Sequence, residues 1–508
     1  MESLGDEPWD VVICGTGLQQ SLLALALSRS NKRVFHLDPN DYYGEHEAAF
    51  SLQEADSWAA SHADGRSAEE EEDESVEEKR PIFQNAAAWK HPGAEGLGLS
   101  FPRAYSLALA PQIIHTRSKL LEQLVSSRAY RQVEFLAVGS FFVYDEEAGE
   151  GDDDISKLAR IPSSREDVFA TQAIPTKSKR SLMKFLKFVM NYDSEEQRPV
   201  WQGHEQKLLS EFLATEFKLS EDLQKYILAL TLTLDGRIAV ADGLAAIHRH
   251  LTSMGVFGPG FCAVYPKWGG SSEIAQVACR AGAVGGGIYM LDTKAKVGDS
   301  PDGREISLEL SNGASVRTTK LVTSQQDALP GAQTIIRLIA VVNAHLEPLF
   351  ETVIEGAPTP AVVVVAFPNE DSPVYAFVHS SDTGECPAGQ SVIYLTTLAS
   401  LTAPQWLESS LNYLLAATAP PKGPAPVPLY KLWYEQTLSA REPSVATNGE
   451  TRSFAFPSPS LSLAFDDGCL GPVKEAWKLV MGDDALETEY MVFEDREGVG
   501  DDDDDVYD

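Results

Sequence analysis

Residues Asp10 to Leu18 read D-V-V-I-C-G-T-G-L, an apolar strand that runs straight into Gly15-x-Gly17 and then into a helical stretch from Gln20 to Arg29. A buried strand, a tight glycine turn and a helix in that order open a dinucleotide-binding βαβ unit, which restricts the fold more than any other segment does. A second apolar strand, Arg33 to Leu37, ends at Asp38, where such units place the acid that holds a ribose hydroxyl. Glycine at 15 and 17 lets backbone amides approach a pyrophosphate at the helix N-terminus. The third small position is Gln20, whose long side chain crowds the strand and the path of the phosphates. Gly15, Gly17 and Asp38 therefore either hold a flavin or are vestigial and serve packing alone.

With 508 residues and 43% apolar side chains, the chain can bury large cores and divides into two or more domains. Its formal charge of -34 disfavours nucleic acid as a partner, because so acidic a surface repels phosphate. The five cysteines, Cys14, Cys262, Cys279, Cys386 and Cys469, show neither a C-x-x-C nor a histidine spacing that suits a metal, so no metal site is expected. His248 and His250 are two apart and point to different helix faces. No G-x-S-x-G elbow is present. The acidic Met1 to Asp10 has no apolar signal core, and Ala361 to Phe367 is strand-sized rather than membrane-spanning, so a cytoplasmic protein is expected.

Glu69 to Glu78 holds eight acids in ten residues, Asp145 to Asp154 is rich in glycine and acids, and Glu494 to Asp508 is an acidic tail. Like charges repel and stay solvated, so 55–79 and 494–508 are predicted to be disordered. Between them, Leu120, Leu121, Leu124 and Val125, then Leu182, Phe185, Leu186 and Val189, then Leu209, Phe212, Leu213 and Phe217 fall at helical spacing. A hairpin is expected at Ser311-Asn312-Gly313-Ala314 and a closing helix over Val473 to Met481. The expected fold is α/β: a discontinuous FAD-binding-like sheet domain, 1–117 and 233–508, with a smaller, mainly helical domain inserted over 118–232.

Beyond the glycine turn, V-F-H-L-D-P-N-D-Y-Y-G at Val34 to Gly44 and Y-P-K-W-G-G-S-S-E-I-A-Q-V-A-C-R-A-G-A-V-G-G-G-I-Y-M-L at Tyr265 to Leu291 resemble two conserved blocks of the family of Rab GDP-dissociation inhibitors and Rab escort proteins. Ser106 to Tyr144 is similar more loosely. The resemblance implies a flavoprotein-like fold of GDI type, no bound cofactor, no catalytic residues and binding of Rab GTPases in the GDP form. It places a Rab-binding platform at Tyr43, Glu273, Gln276 and Arg280, and three, four and seven residues apart on a helix is one face. The ending Asp466 to Ala476, D-D-G-C-L-G-P-V-K-E-A, resembles the escort branch. That branch docks the alpha/beta heterodimer of Rab geranylgeranyltransferase, here through Tyr226, where the family has Phe, and Arg237. It also shields the geranylgeranyl groups of the Rab C-terminus, with transient membrane contact. Leu182, Phe185, Leu186, Val189 and Met190 are candidates for a prenyl groove, or equally are helix-packing core. A dissociation inhibitor and an FAD-dependent oxidoreductase are the alternatives.

Overall fold

A computed structural model describes residues 7–63, 80–146, 157–162, 168, 176–298, 305–324, 327–328, 332–352, 354–369, 372–438, 444–445, 452–458 and 460–493. The acidic runs 69–78 and 494–508 lie outside these residues, as does most of 145–154. Helices are numbered in chain order: α1 (Leu18–Arg29), α2 (Leu52–Ser61), α3 (Lys119–Ser126), α4 (Thr176–Val189), α5 (Arg198–Trp201), α6 (Leu209–Glu216), α7 (Glu221–Ala229), α8 (Val240–Ser253), α9 (Ser271–Val284), α10 (Ala403–Ala417) and α11 (Leu470–Met481).

Val11–Cys14 pairs in parallel with Val34–Leu37 on one side and Leu321–Ser324 on the other, the centre of a sheet of six described strands. Both faces of such a sheet are covered, which is why these strands are continuous apolar runs rather than alternating ones. Helix α1 is buried from Leu18 to Ser28, because α9 and α11 pack against it from other sides. The closing helix thus returns from the far end of the chain to seal the first βαβ unit, and the core around Trp477, itself fully buried, joins the two ends.

The second sheet has ten described strands and is antiparallel except where Val362–Phe367 runs parallel to Phe135–Tyr144. Val362–Phe367, Val374–Ser380 and Ser391–Leu398 form its centre, and α10 covers one face with Leu407, Leu411 and Leu414. The expected hairpin forms, with Leu310 N donating to Ala314 O at 2.8 Å, but its second strand ends at Thr318 and Leu321 begins a strand of the parallel sheet.

Two boundaries differ from expectation. The segment predicted to be disordered from residue 55 begins inside α2, where Ser51 and Glu54 close a capping box and Trp58 is buried against Phe83 and Tyr434. Its apolar positions Leu52, Ala55, Trp58 and Ala59 recur at helical spacing and are buried, so the helix extends past residue 55. Within 118–232, α3 packs in the core of the parallel sheet and Phe135–Tyr144 is a strand of the larger sheet. The helices that share a core of their own are α4, α6, α7 and α8, the last ending at Ser253. No helix among the described residues is long and apolar enough to cross a membrane.

In that helical core Phe185 is fully buried and meets Phe217 at 5.1 Å between ring centroids, whereas Met190, one turn on, is 44% exposed. Phe185→Ala is expected to destabilise by about 3–5 kcal/mol through lost burial and a residual cavity. Met190→Ala should stay within about 0.5 kcal/mol, and denaturant unfolding followed by circular dichroism compares the two.

Candidate functional site

The glycine turn after the first strand holds a carboxylate. Gly44, at φ 102°, reverses the chain after Tyr43 and drops Glu45 and Glu47 into the space above Gly15 and Gly17. A Cβ on Gly15 would lie 2.1 Å from Glu45 Oε1, and one on Gly17 would lie 3.0 Å from Glu45 Oε2. Gly17 N–H donates to Glu45, Leu18 N–H donates to Glu47, and Gln20 Nε2 reaches Glu45 Oε2 at 3.2 Å. The amides of a phosphate cradle are thus satisfied by the chain's own acids.

Asp38 is equally committed. Its Oδ2 accepts from Thr16 N at 2.7 Å and Thr16 Oγ1 at 2.6 Å, and its Oδ1 accepts from Asn40 N and Nδ2 at 2.8 and 2.9 Å. No lone pair remains well placed for a ribose. Burial raises all three acids above the usual carboxylate range, Glu47 to about 7, and in Glu45 the neighbouring Asp38 and Glu47 add to it. The residues present therefore do not fit a dinucleotide, and Gln20, which the sequence marks as an obstacle, is part of the filling.

The same loop carries Tyr43. Its ring is half-buried beside Cys279 of α9, whose Sγ contacts Ser21 Oγ of α1 at 3.4 Å. On α9 Arg280 Nη2 pairs with Glu273 Oε1 at 2.6 Å, and Gln276 Nε2 donates to Ser272 Oγ at 3.3 Å. Glu273, Gln276 and Arg280 share one face, as their spacing predicts, with Arg280 the most exposed of the pair. Tyr43 lies near Cys279 on this helix, a juxtaposition that no sequence spacing reveals.

Trp268, in the turn before α9, has no place in the sequence reading. It is 53% exposed although its backbone lies at φ 74°, a conformation unfavourable to a bulky residue. Its indole rests on Gly384, where a Cβ would come within 2.3 Å, and its backbone N–H donates to Thr383 O at 2.9 Å. Beneath that turn Glu385 is fully buried and accepts from Tyr265 Oη at 2.8 Å and Tyr394 Oη at 2.9 Å, with His379 Nδ1 at 2.7 Å. The network fixes the turn from below, so an exposed aromatic is held rigid.

Between the helical unit and the larger sheet lies an apolar cavity of about 430 Å³, within the range of ligand clefts, about 300–1,000 Å³. Leu182, Leu186 and Met190 of α4 line it together with Tyr226, Leu230 and Met254. Phe185 and Val189 do not: both are fully buried in the helical core, which Leu182 and Leu186 also touch. A helix that separates two apolar surfaces is apolar on both, so periodicity alone merged the five. Tyr226 contributes to the cavity wall, and burial raises its hydroxyl above the ordinary range. Arg237 sits in the turn beyond α7, its N–H bonded to Asp235 Oδ1 at 2.9 Å.

The model of the family described as GDP dissociation inhibitor matches residues 5–81 and 82–415. Rab proteins geranylgeranyltransferase component A of Saccharomyces cerevisiae is 30% identical over 402 residues, 76% of this chain and 61% of that protein. Rab escort protein 1 of Arabidopsis thaliana is 24% identical over 443 residues, 77% of this chain and 76% of that protein. The chain spans about three fifths of the length of the yeast relative. Among solved structures, Rab GDI from Plasmodium falciparum superposes with a TM-score of 0.63 at 17% identity, covering 94% of this chain and 98% of that one. An oxidoreductase from Methanosarcina mazei gives 0.54 at 11% identity, covering 92% and 99%. Both share the fold.

Glu47 supplies a pH test. Its carboxyl is raised by burial from 4.5 to about 7, so the folded state favours the neutral acid and that contribution is lost as pH rises from about 4.5 through 7. Glu47→Gln should therefore gain stability relative to the parent at pH 8, by at most about 3 kcal/mol, and lose that advantage near pH 4.5. Thermal unfolding across pH 4.5 to 8 measures it, and a parallel shift at all pH values would contradict a neutral buried Glu47.

Proposed function

This chain belongs to the GDP dissociation inhibitor family, and on that premise we propose that it is an escort protein for Rab GTPases. It binds newly made Rab in the GDP form and presents it to the alpha/beta heterodimer of Rab geranylgeranyltransferase. It then carries the prenylated Rab to membranes, touching them transiently from the cytoplasm. It performs no catalysis itself. The observation that supports this reading is that the loop filling the cofactor cradle carries Tyr43 beside Cys279 of α9, the helix whose exposed side bears Glu273, Gln276 and Arg280. A surface made at the expense of a cofactor site favours binding over redox chemistry. The names of the relatives, geranylgeranyltransferase component A and Rab escort protein, support the same reading.

In this proposal Tyr43, Glu273, Gln276 and Arg280 contact the GTPase. The sheet domain is the Rab-binding body and the helical unit takes the lipid and the transferase. The geranylgeranyl groups occupy the cavity lined by Leu182, Leu186 and Met190, since each buried methylene contributes about 0.8 kcal/mol. Tyr226 and Arg237 meet the transferase, with Tyr in place of Phe bringing a hydroxyl that needs a partner when covered.

Titration of GDP-loaded, unprenylated Rab, with the transferase present to read lipid addition, is expected to show tight binding and prenylation that depends on this protein. Arg280→Ala should weaken binding on the order of 30-fold, a loss of about 2 kcal/mol typical of an interfacial arginine anchor. Leu186→Asp should leave binding of unprenylated Rab intact and impair retention of the prenylated product. Binding of prenylated Rab alone would instead identify a dissociation inhibitor.

A further inference from the structure

His115, His250 and Cys262 lie far apart in sequence and meet in the interior. His115 ends the edge strand Ile114–His115, Cys262 immediately precedes the strand Ala263–Pro266 with which it pairs, and His250 is in the last turn of α8. Thr116 N–H donates to Cys262 O at 3.0 Å, and Arg117 Nε donates to Thr252 O at 2.7 Å, so strand pair and helix are tied on both sides of the cluster. The three side chains are 3%, 3% and 1% exposed, and one donor atom from each lies within 4.8 Å of the others. Cys262 Sγ is 3.5 Å from His250 Nδ1.

His115 is the anomaly. Neither of its ring nitrogens meets a partner among the described residues, and a buried polar group left unpaired costs about 1–3 kcal/mol. Burial together with the neighbouring Arg249 and His250 keeps the ring neutral, the state in which it can ligate a metal. The ring of Phe141 closes the other side of His250 at 4.9 Å, and His250 also forms part of the cavity wall, which brings the cluster next to that space.

We propose that His115, His250 and Cys262 form a buried three-coordinate site for a soft monovalent cation, Cu(I). Ligand bonds of about 2.0–2.3 Å place trigonal donors roughly 3.6 Å apart, and the sulfur and His250 nitrogen already stand at 3.5 Å. Structural zinc almost always takes four ligands, and the described residues bring three together here. A divalent ion would also add positive charge beside Arg249, whereas Cu(I) with one thiolate adds none. Thiolate and imidazole donors suit copper as well as zinc, and the ligand count and the charge balance favour Cu(I). Binding replaces the Cys262 thiol proton, which leaves to solvent; no electron is transferred. The cysteine spacing predicts no metal site because all three ligands come from separate elements.

Anaerobic titration of the full chain with Cu(I) in acetonitrile, in competition with bicinchoninate, tests this. One equivalent should bind ahead of the chelator, with X-ray absorption showing one sulfur and two nitrogen scatterers. Cys262→Ser and His115→Ala should each lower the affinity 100-fold or more, and Cys469→Ser, at a separate thiol, should not. Absence of competitive binding, sulfur-only coordination, binding that survives Cys262→Ser, or tighter retention of Zn(II) than of Cu(I) would each overturn the assignment. If the variants fail to fold, the scattering signature of the parent protein decides.

Discussion

A carboxylate seated on the amides of Gly17 and Leu18 governs how the first sixty residues are arranged. Glu45 and Glu47 reach that position because Gly44 turns the chain back over the glycine loop, and Thr16, which bonds Asp38, also accepts from Gly44 N–H at 3.0 Å. The loop from Asp38 to Glu47 is therefore pinned at both ends, and it carries Tyr43 beside α9. The free amides at a helix N-terminus that could hold a phosphate here donate to side-chain carboxyl oxygens instead. An intramolecular carboxyl needs no binding equilibrium, so a surface can be built on it.

A second buried acid serves the other end of the same surface. Glu385, with two tyrosine hydroxyls and His379 around it, secures the turn on which Trp268 lies. Three donors converging on one buried carboxyl define one geometry where apolar packing would tolerate several, although His379 Nε2 on the far side of the ring meets no partner among the described residues. The two acids act alike: each holds a loop from within the core, and each presents an aromatic side chain outside it.

Much of the fold is legible in the chain because its signals are local. The run V-V-I-C-G-T-G-L, the strands around 361–398 and the helix closing at Met481 each carry their own periodicity. The partition of α4 into core and cavity faces was not legible, since Phe185 and Leu186 are equally apolar. Nor was the filling of the cradle, because a glutamate after Y-Y-G reads as a solvated acid until the turn at Gly44 is known to point inward. Of the platform, the α9 face follows from spacing, while Tyr43 beside Cys279 and Trp268 on Gly384 depend on contacts between distant segments.

The pairing of Arg280 with Glu273 has a kinetic side. Each charge is neutralised locally before any partner arrives, so the platform itself contributes little to the long-range field. Attraction at a distance comes instead from the net charge of -34, much of it in the acidic runs 69–78, 145–154 and 494–508, which draws basic surfaces and is screened beyond about 8 Å at physiological salt. In the proposed complex, Arg280 exchanges Glu273 for an external acceptor only after encounter. Ionic strength should therefore govern how fast a complex forms, and the exchange at Arg280 how long it lasts, so that speed and residence time are set by different residues.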